Sequence, residues 1–300
     1  MVTIDERLAI IQPLHKFWYK GKVSGIDVLR LDLIHPIVSG NKWFKLRLNL
    51  ANAVDDGFKT VLTFGGGYSN HLVATAYAAK KFNIPAVAIV RGKYDKLTPT
   101  LLSCIEYGME LIFVTQEEYK NNEQPDWIRK MAAHFDDIYI IPEGGANELG
   151  RTGAGLMDRF IDKNYTHIAI AVGSGTTLIG LRNKLKRQQY IIGFVPMKDG
   201  KYMEQSINKH LDKNKNTNWH LQDEWHFGGF GKWNKELITF MNDFYDLNKI
   251  PLDIVYTSKM MYGLNQLLLD NYFISIDKIL CIHSGGLQGN ISVRNDLIYQ

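Results

Sequence analysis

Two lysines three residues apart, Lys42 and Lys45 in SGNKWFKL (39–46), pose the first chemical question. A Ser-Gly-Asn turn opens a helix there, and the spacing puts both amines on one helix face, a turn apart. Most lysines are solvated surface groups. One that attacks a carbonyl must instead be held beside it and shed its proton more readily than a free amine, through desolvation or a nearby cation. Lys45 is a candidate for that cation, or is simply a surface charge.

Glycine clusters supply the next chemistry: GGGYSN (65–70), EGGAN (143–147), GSGTT (173–177) and HSGGLQG (283–289). Each follows a β-branched run, and in open parallel sheets ligands bind beyond the carboxyl ends of the strands. Glycine also serves merely to turn the chain, so no single cluster is decisive. VGSGTTLIG (172–180) is the sharpest. Backbone N–H groups of Gly175, Thr176 and Thr177, with the hydroxyls, would converge on an anion at the positive end of a helix. The stretch lacks the Lys-Ser/Thr of a nucleotide P-loop, and Leu178 stands where a dinucleotide site needs its third glycine. A single phosphate monoester fits what is left. In GGGYSNHL, Ser69 and Asn70 can cap a helix, or serve a carboxylate with the neighbouring amides; His71 follows them.

These residues need a scaffold, and the rest of the chain describes one. Strand-like runs (TVLTFGGG, PAVAIVRG, ELIFVT, DIYIIPEGG, HIAIAVGSG, YIIGFVPM, KILCIHSGG) alternate with helical stretches (SNHLVATAYAAKKF, LTPTLLSCIEYG, QPDWIRKMAAHF, ELGRTGAGLMDRFI, TTLIGLRNKLK, NKELITFMNDFY, SKMMYGLNQLLL). That alternation predicts an α/β fold of two lobes, each a mostly parallel twisted sheet with helices on both faces. The glycine-rich stretch 143–155 marks a lobe boundary. The expected division is a larger domain of 1–45 with 153–300 and a smaller one of 46–152, with the active site in the cleft between them.

Composition excludes several classes. Of 300 residues, 45% are hydrophobic and 22% charged, ordinary for a globular protein, and the net charge of +4 is too small and too dispersed for nucleic-acid binding. No apolar run reaches membrane-span length, and the N-terminus shows no secretory h-region. Cys104 and Cys281 have no metal-ligand spacing and read as buried free thiols of a cytoplasmic protein.

In order and spacing, SGNKWFKL (39–46), GGGYSNH (65–71), PEGGAN (142–147), GSGTT (173–177), VYTSKMMYG (255–263) and HSGG (283–286) together resemble the 1-aminocyclopropane-1-carboxylate deaminase / D-cysteine desulfhydrase family. These are pyridoxal 5'-phosphate enzymes of fold type II, built like the tryptophan synthase β subunit. The resemblance implies that Lys42 carries the cofactor as a Schiff base and that Asn70 binds its ring hydroxyl. It places the phosphate on Gly173, Ser174, Gly175, Thr176 and Thr177, and Thr257 at the ring nitrogen. Ser69 would handle the substrate carboxylate and proton transfer, Tyr256 would flank ring and substrate, and Tyr68 and His71 would line the substrate pocket. It implies a homodimer acting on a small amino acid, with no metal.

Two departures bear on the reaction. The deaminases have a glutamate directly after the tyrosine of VYTSK, and here that place is Thr257. A carboxylate keeps the ring nitrogen protonated and the ring a deep electron sink; a hydroxyl does not. Ring opening should suffer most and β-elimination of a thiolate least, so the expected activity is D-cysteine desulfhydrase-like, giving pyruvate, sulfide and ammonia. The second departure is Tyr68, where family members commonly carry glutamine. Lys42 is the first choice for moving the Cα proton, with Ser69 and Tyr256 as alternatives. True 1-aminocyclopropane-1-carboxylate deamination is one alternative; a non-catalytic phosphate-ligand or regulatory module, colourless with added cofactor, is another.

Overall fold

The computed structural model describes residues 4–299. The chain forms two compact units, the segment up to residue 41 with that from 155 onward, and residues 42–154. The first unit opens with β1 (Ile10–Pro13), the single-turn α1 (Lys16–Tyr19) and β2 (Gly25–Arg30). The second follows as α2 (Asn41–Asp55), β3 (Thr60–Gly66), α3 (Asn70–Lys81), β4 (Ala86–Arg91), α4 (Pro99–Glu106), β5 (Met109–Val114), α5 (Gln116–Tyr119), α6 (Pro125–Ala132), β6 (Ile138–Ile141) and α7 (Glu148–Gly155). The chain then completes the first unit with β7 (His167–Ala171), α8 (Thr176–Lys184), β8 (Tyr190–Phe194), α9 (Met203–Lys209), β9 (Trp219–Gln222), α10 (Lys235–Asn248), α11 (Thr257–Leu269) and β10 (Lys278–His283).

In the second unit four parallel strands run in the order β5-β4-β3-β6. Leu62, Phe64, Val87 and Ile89 fill its core with Trp127 and Ile128 of α6. The alanine-rich α3 is buried from Asn70 to Ala79, as a helix covered on all sides must be. In the first unit the order is β1-β2-β10-β7-β8-β9, parallel except for the antiparallel β1–β2 pair at one edge. Its inner strands supply Val28, Ala169, Ile192 and Cys281 to a core shared with Met241 and Phe244 of α10 and Met260 and Leu264 of α11.

Both orders reverse once. Successive strands step from β3 to β4 to β5 before β6 returns to the other side of β3; likewise β7 to β8 to β9, with β10 beyond β7. Such reversals open a crevice at the carboxyl ends of the flanking strands. The glycine clusters sit there: 65–70 at the end of β3 and 143–147 after β6, 173–177 after β7 and 284–286 after β10.

Candidate active site

In the first unit, Gly175 takes φ +76° and opens α8 without any side-chain cap. The amides of that first turn therefore keep their dipole-aligned N–H groups for a ligand. Thr176 and Thr177 are buried, and the Ser174 and Thr176 hydroxyls lie 2.9 Å apart. Thr177 Oγ1 accepts a 2.9 Å hydrogen bond from Asn41 Nδ2, which leaves its own proton to donate. Since Lys42 is the next residue, a side chain one peptide away from it is tied to the phosphate-type turn. A Cβ on Gly173 would stand 3.4 Å from the Tyr256 hydroxyl, so the missing side chain leaves room beside that phenol.

The Ser-Gly-Asn turn ahead of Lys42 is set by backbone contact. Gly40 takes φ +61°, and a Cβ there would fall inside the Ser284 carbonyl; a Cβ on Gly285 (φ +75°) would fall into Ser39. Only glycine fits either place. Beneath them lies a buried ionic cluster. Arg30 grips Asp32 through Nε (2.9 Å) and Nη2 (2.7 Å), and His283 Nδ1 stands 3.3 Å from Asp32 Oδ1. Burial opposes ionisation of Asp32, yet His283 and the Arg30 guanidinium hold its carboxyl below the usual carboxylate range. His283 Nε2 donates to the Pro251 carbonyl at 2.6 Å.

In the second unit, Lys42 is half-buried and Lys45 is buried, with 5% of its surface exposed. Lys45 is thus no surface charge. Burial first, and the Lys42 ammonium second, hold its amine well below the ordinary lysine value, with no carboxylate among the causes. His71 shares this environment: burial, then Lys45, then Lys42 press it down to about 3. Its tautomer follows from its neighbour. Thr63 donates its hydroxyl proton to the Ile141 carbonyl (2.8 Å) and so must accept from His71 Nε2 at 2.8 Å. His71 Nδ1 keeps a bare lone pair, and both it and Asn70 Oδ1 are buried without a hydrogen-bond partner among the described residues. Ser69 caps α3, accepting from Leu72 N at 3.3 Å, and its hydroxyl proton remains available. Tyr68 projects from the same loop, 68% exposed.

Sequence reasoning missed three contributors. Asp253 is fully buried ahead of α11; its Oδ1 accepts from the backbone N–H of Val255 (3.0 Å) and Tyr256 (2.8 Å). Its Oδ2 accepts from Thr257 N (2.8 Å) and from the Thr257 hydroxyl (2.7 Å), while Asp253 N donates to Thr257 Oγ1 at 2.8 Å. An Asp four residues before a Thr at a helix start was the available signal. Lys259 on α11 is also buried and donates to the carbonyls of His226 and Gly229, 2.8 Å each, while burial lowers its amine to about 8. The loop it holds carries Phe230, whose ring meets Tyr256 edge-on at 5.8 Å.

Taken unit by unit, the residues present fit parts of a phosphorylated aromatic aldehyde: in the first, an uncapped helix start with hydroxyl protons for a phosphate; in the second, buried orphan acceptors for polar ring substituents and a partly desolvated amine pair. Among the described residues no cluster suits a metal ion. Residues 13–285 match the family model described as pyridoxal-phosphate dependent enzyme. A Thermotoga maritima protein named as a candidate 1-aminocyclopropane-1-carboxylate deaminase is 30% identical over 291 residues, covering 91% of this chain and 92% of that one. The bifunctional D-cysteine desulfhydrase/1-aminocyclopropane-1-carboxylate deaminase of Arabidopsis thaliana mitochondria is 28% identical, covering 92% and 76%. A solved homologue of 1-aminocyclopropane-1-carboxylate deaminase aligns at a TM-score of 0.84 and 27% identity over 99% of this chain and 95% of its own. O-ureido-L-serine synthase, at 12% identity and a TM-score of 0.70, shares the fold.

Proposed function

The chain belongs to the pyridoxal-phosphate-dependent enzymes, and from that premise we propose that it is a lyase eliminating the β-substituent of a small amino acid, with D-cysteine the leading substrate. Pyruvate, sulfide and ammonia are the products. The observation that carries the cofactor assignment is the Asn41–Thr177 hydrogen bond, which ties the residue before Lys42 to the phosphate-type turn.

When bound, pyridoxal phosphate supplies an aldehyde for the amine and an electron-withdrawing ring that stabilises a carbanion at Cα. Lys42 would hold it covalently, the 173–177 turn would take its phosphate, Asn70 its ring hydroxyl and Thr257 its ring nitrogen. The Ser69 hydroxyl and the start of α3 would bind the substrate carboxylate. The Lys42 amine, released when substrate takes its place, would remove the Cα proton. Tyr256, with Phe230 against it, would shape the space beside Gly173. Lys45, kept from easy protonation, spares Lys42 a permanent cation at its side.

Ring-opening deamination of 1-aminocyclopropane-1-carboxylate is the second reading, favoured by the names of the relatives above and by the carboxylate that stands behind Thr257. Homodimeric assembly is part of the proposal; Leu8, Ile10 and Ile11, exposed on and beside the edge strand β1, offer an apolar surface for it. A cytoplasmic setting accords with two buried free thiols. Among the described residues no helix is long and apolar enough to cross a membrane.

The test is direct. Purified protein loaded with pyridoxal phosphate is expected to absorb in the visible, to lose that band in Lys42→Ala, and to release sulfide from D-cysteine faster than it forms 2-oxobutanoate from the cyclopropane substrate. The reverse ranking would favour the second reading, and a visible band that survives Lys42→Ala would refute the assignment of the lysine.

A further inference from the structure

We propose that Asp253 is a positioning residue that keeps the ring nitrogen of the bound cofactor protonated, acting through Thr257. The proposal rests on the reading that Thr257 faces that nitrogen.

The argument is hydrogen bookkeeping at one hydroxyl. A threonine hydroxyl has one proton and two lone pairs. At Thr257 the proton lies on the 2.7 Å bond to Asp253 Oδ2, and one lone pair accepts from Asp253 N at 2.8 Å. A second lone pair is all that is left to offer. A hydroxyl in this state can accept from a protonated ring nitrogen but cannot donate to a bare one. Turning the proton toward the ring would leave two unprotonated oxygens facing each other at 2.7 Å, one of them charged. The carboxylate is itself locked: Val255 N, Tyr256 N, Thr257 N and the Thr257 hydroxyl all donate to it, and Asp253 is fully buried. Lys259 and Tyr299 are other titratable groups that feel Asp253. Neither hydrogen-bonds its carboxylate; Lys259 Nζ is spent on two loop carbonyls and the Tyr299 hydroxyl on that of Leu252.

A buried negative charge one hydroxyl away thus does at second hand what a directly bonded glutamate does in the deaminases. The expectation that a hydroxyl at position 257 leaves the ring a shallow electron sink holds only for a hydroxyl with a proton to give. Here the ring can withdraw electrons more strongly than the Thr257 substitution alone implies, and ring opening is not disfavoured on that ground.

The experiment loads the full-length protein with pyridoxal phosphate carrying nitrogen-15 in the ring and reads the ring-nitrogen chemical shift, with the visible spectrum alongside. The wild-type resonance is expected in the pyridinium region. Asp253→Asn presents an amide N–H to Thr257, frees the hydroxyl proton for the ring, and is expected to move the resonance to the free-pyridine region. Thr257→Ser should keep the wild-type shift and Thr257→Val should lose it. A wild-type resonance in the free-pyridine region, or an unmoved one in Asp253→Asn while Thr257→Val moves it, would overturn the role of Asp253. If Thr257→Val leaves the resonance in place, Thr257 does not face the nitrogen, and it is the underlying reading that fails. Should Asp253→Asn not fold, the wild-type shift and the Thr257 pair still decide.

Discussion

At the scale of single residues, His71 shows how a site motif can hide a structural constraint. Its ring is neutral because burial and two neighbouring amines oppose a proton. The folded value, about 3, lies below the 6.5 of an unperturbed histidine, so in that window the unfolded chain binds a proton that the folded one refuses. The stability His71 contributes is complete above pH 6.5 and is lost as the pH falls toward 3, at up to about 1.4 kcal/mol per pH unit. In urea denaturation at a series of pH values, the stability gap between wild type and His71→Gln should therefore narrow as the medium is acidified; parallel curves would mean that His71 is not a buried neutral base. Thr63→Val removes the acceptor of the His71 Nε2 proton and should cost about 1–3 kcal/mol at neutral pH by the same method. The turn ahead of Lys42 and the helix it opens were legible in the sequence because Gly-Asn-Lys at a helix start is a pattern. The state of Lys45 was not, since neither burial nor the absence of a carboxylate can be read from three-residue spacing. Asp253 was hidden for another reason: its part depends on where one hydroxyl proton points.

At the scale of elements, the buried parallel strands announced themselves as β-branched runs, as in TVLTF and HIAIA. Three strands did not. β1 and β9 are the two edges of the larger sheet; half-exposed, they have no continuous apolar run to display. β2 is interior but carries Asp27, which accepts from the Tyr165 hydroxyl, and Arg30, which serves Asp32, and these two polar residues interrupt the apolar pattern. The turns are where element geometry is testable. Gly57, just beyond α2, and Gly40, just before it, both have positive φ, but a Cβ on Gly57 meets nothing within 4 Å whereas one on Gly40 meets the Ser284 backbone. Gly57→Ala should cost about 1 kcal/mol, the left-handed backbone alone. Gly40→Ala should cost about 3 kcal/mol or more and weaken cofactor uptake, because backbone on both sides must shift. Equal losses in denaturant midpoint would show that the contact with residue 284 contributes nothing.

At the scale of the whole molecule, each unit carries one free thiol: Cys104 in the segment 42–154 and Cys281 in the other. Burial pushes Cys104 up to about 12 and raises Cys281 as well, so both are protonated and shielded. In the native protein both should react with iodoacetamide roughly a hundredfold or more slowly than in urea, the factor set by an opening free energy of about 3 kcal/mol. Site-resolved mass spectrometry then reports the opening of each unit separately, and prompt native labelling of either thiol would contradict its place in the core. The two-sheet layout was readable from the strand-helix rhythm; the reversal points of the two strand orders emerged only from pairing, which sequence alone does not state.

The lock of residue 40 against residue 284 also has a consequence for biogenesis. The turn ahead of Lys42 leaves the ribosome long before residue 284, whose backbone fixes its shape. A nascent chain halted before residue 284 would carry Lys42 on an unsupported turn and, on the proposed function, would take up no pyridoxal phosphate. On that reading, maturation into a coloured protein must wait until residue 284 has been made.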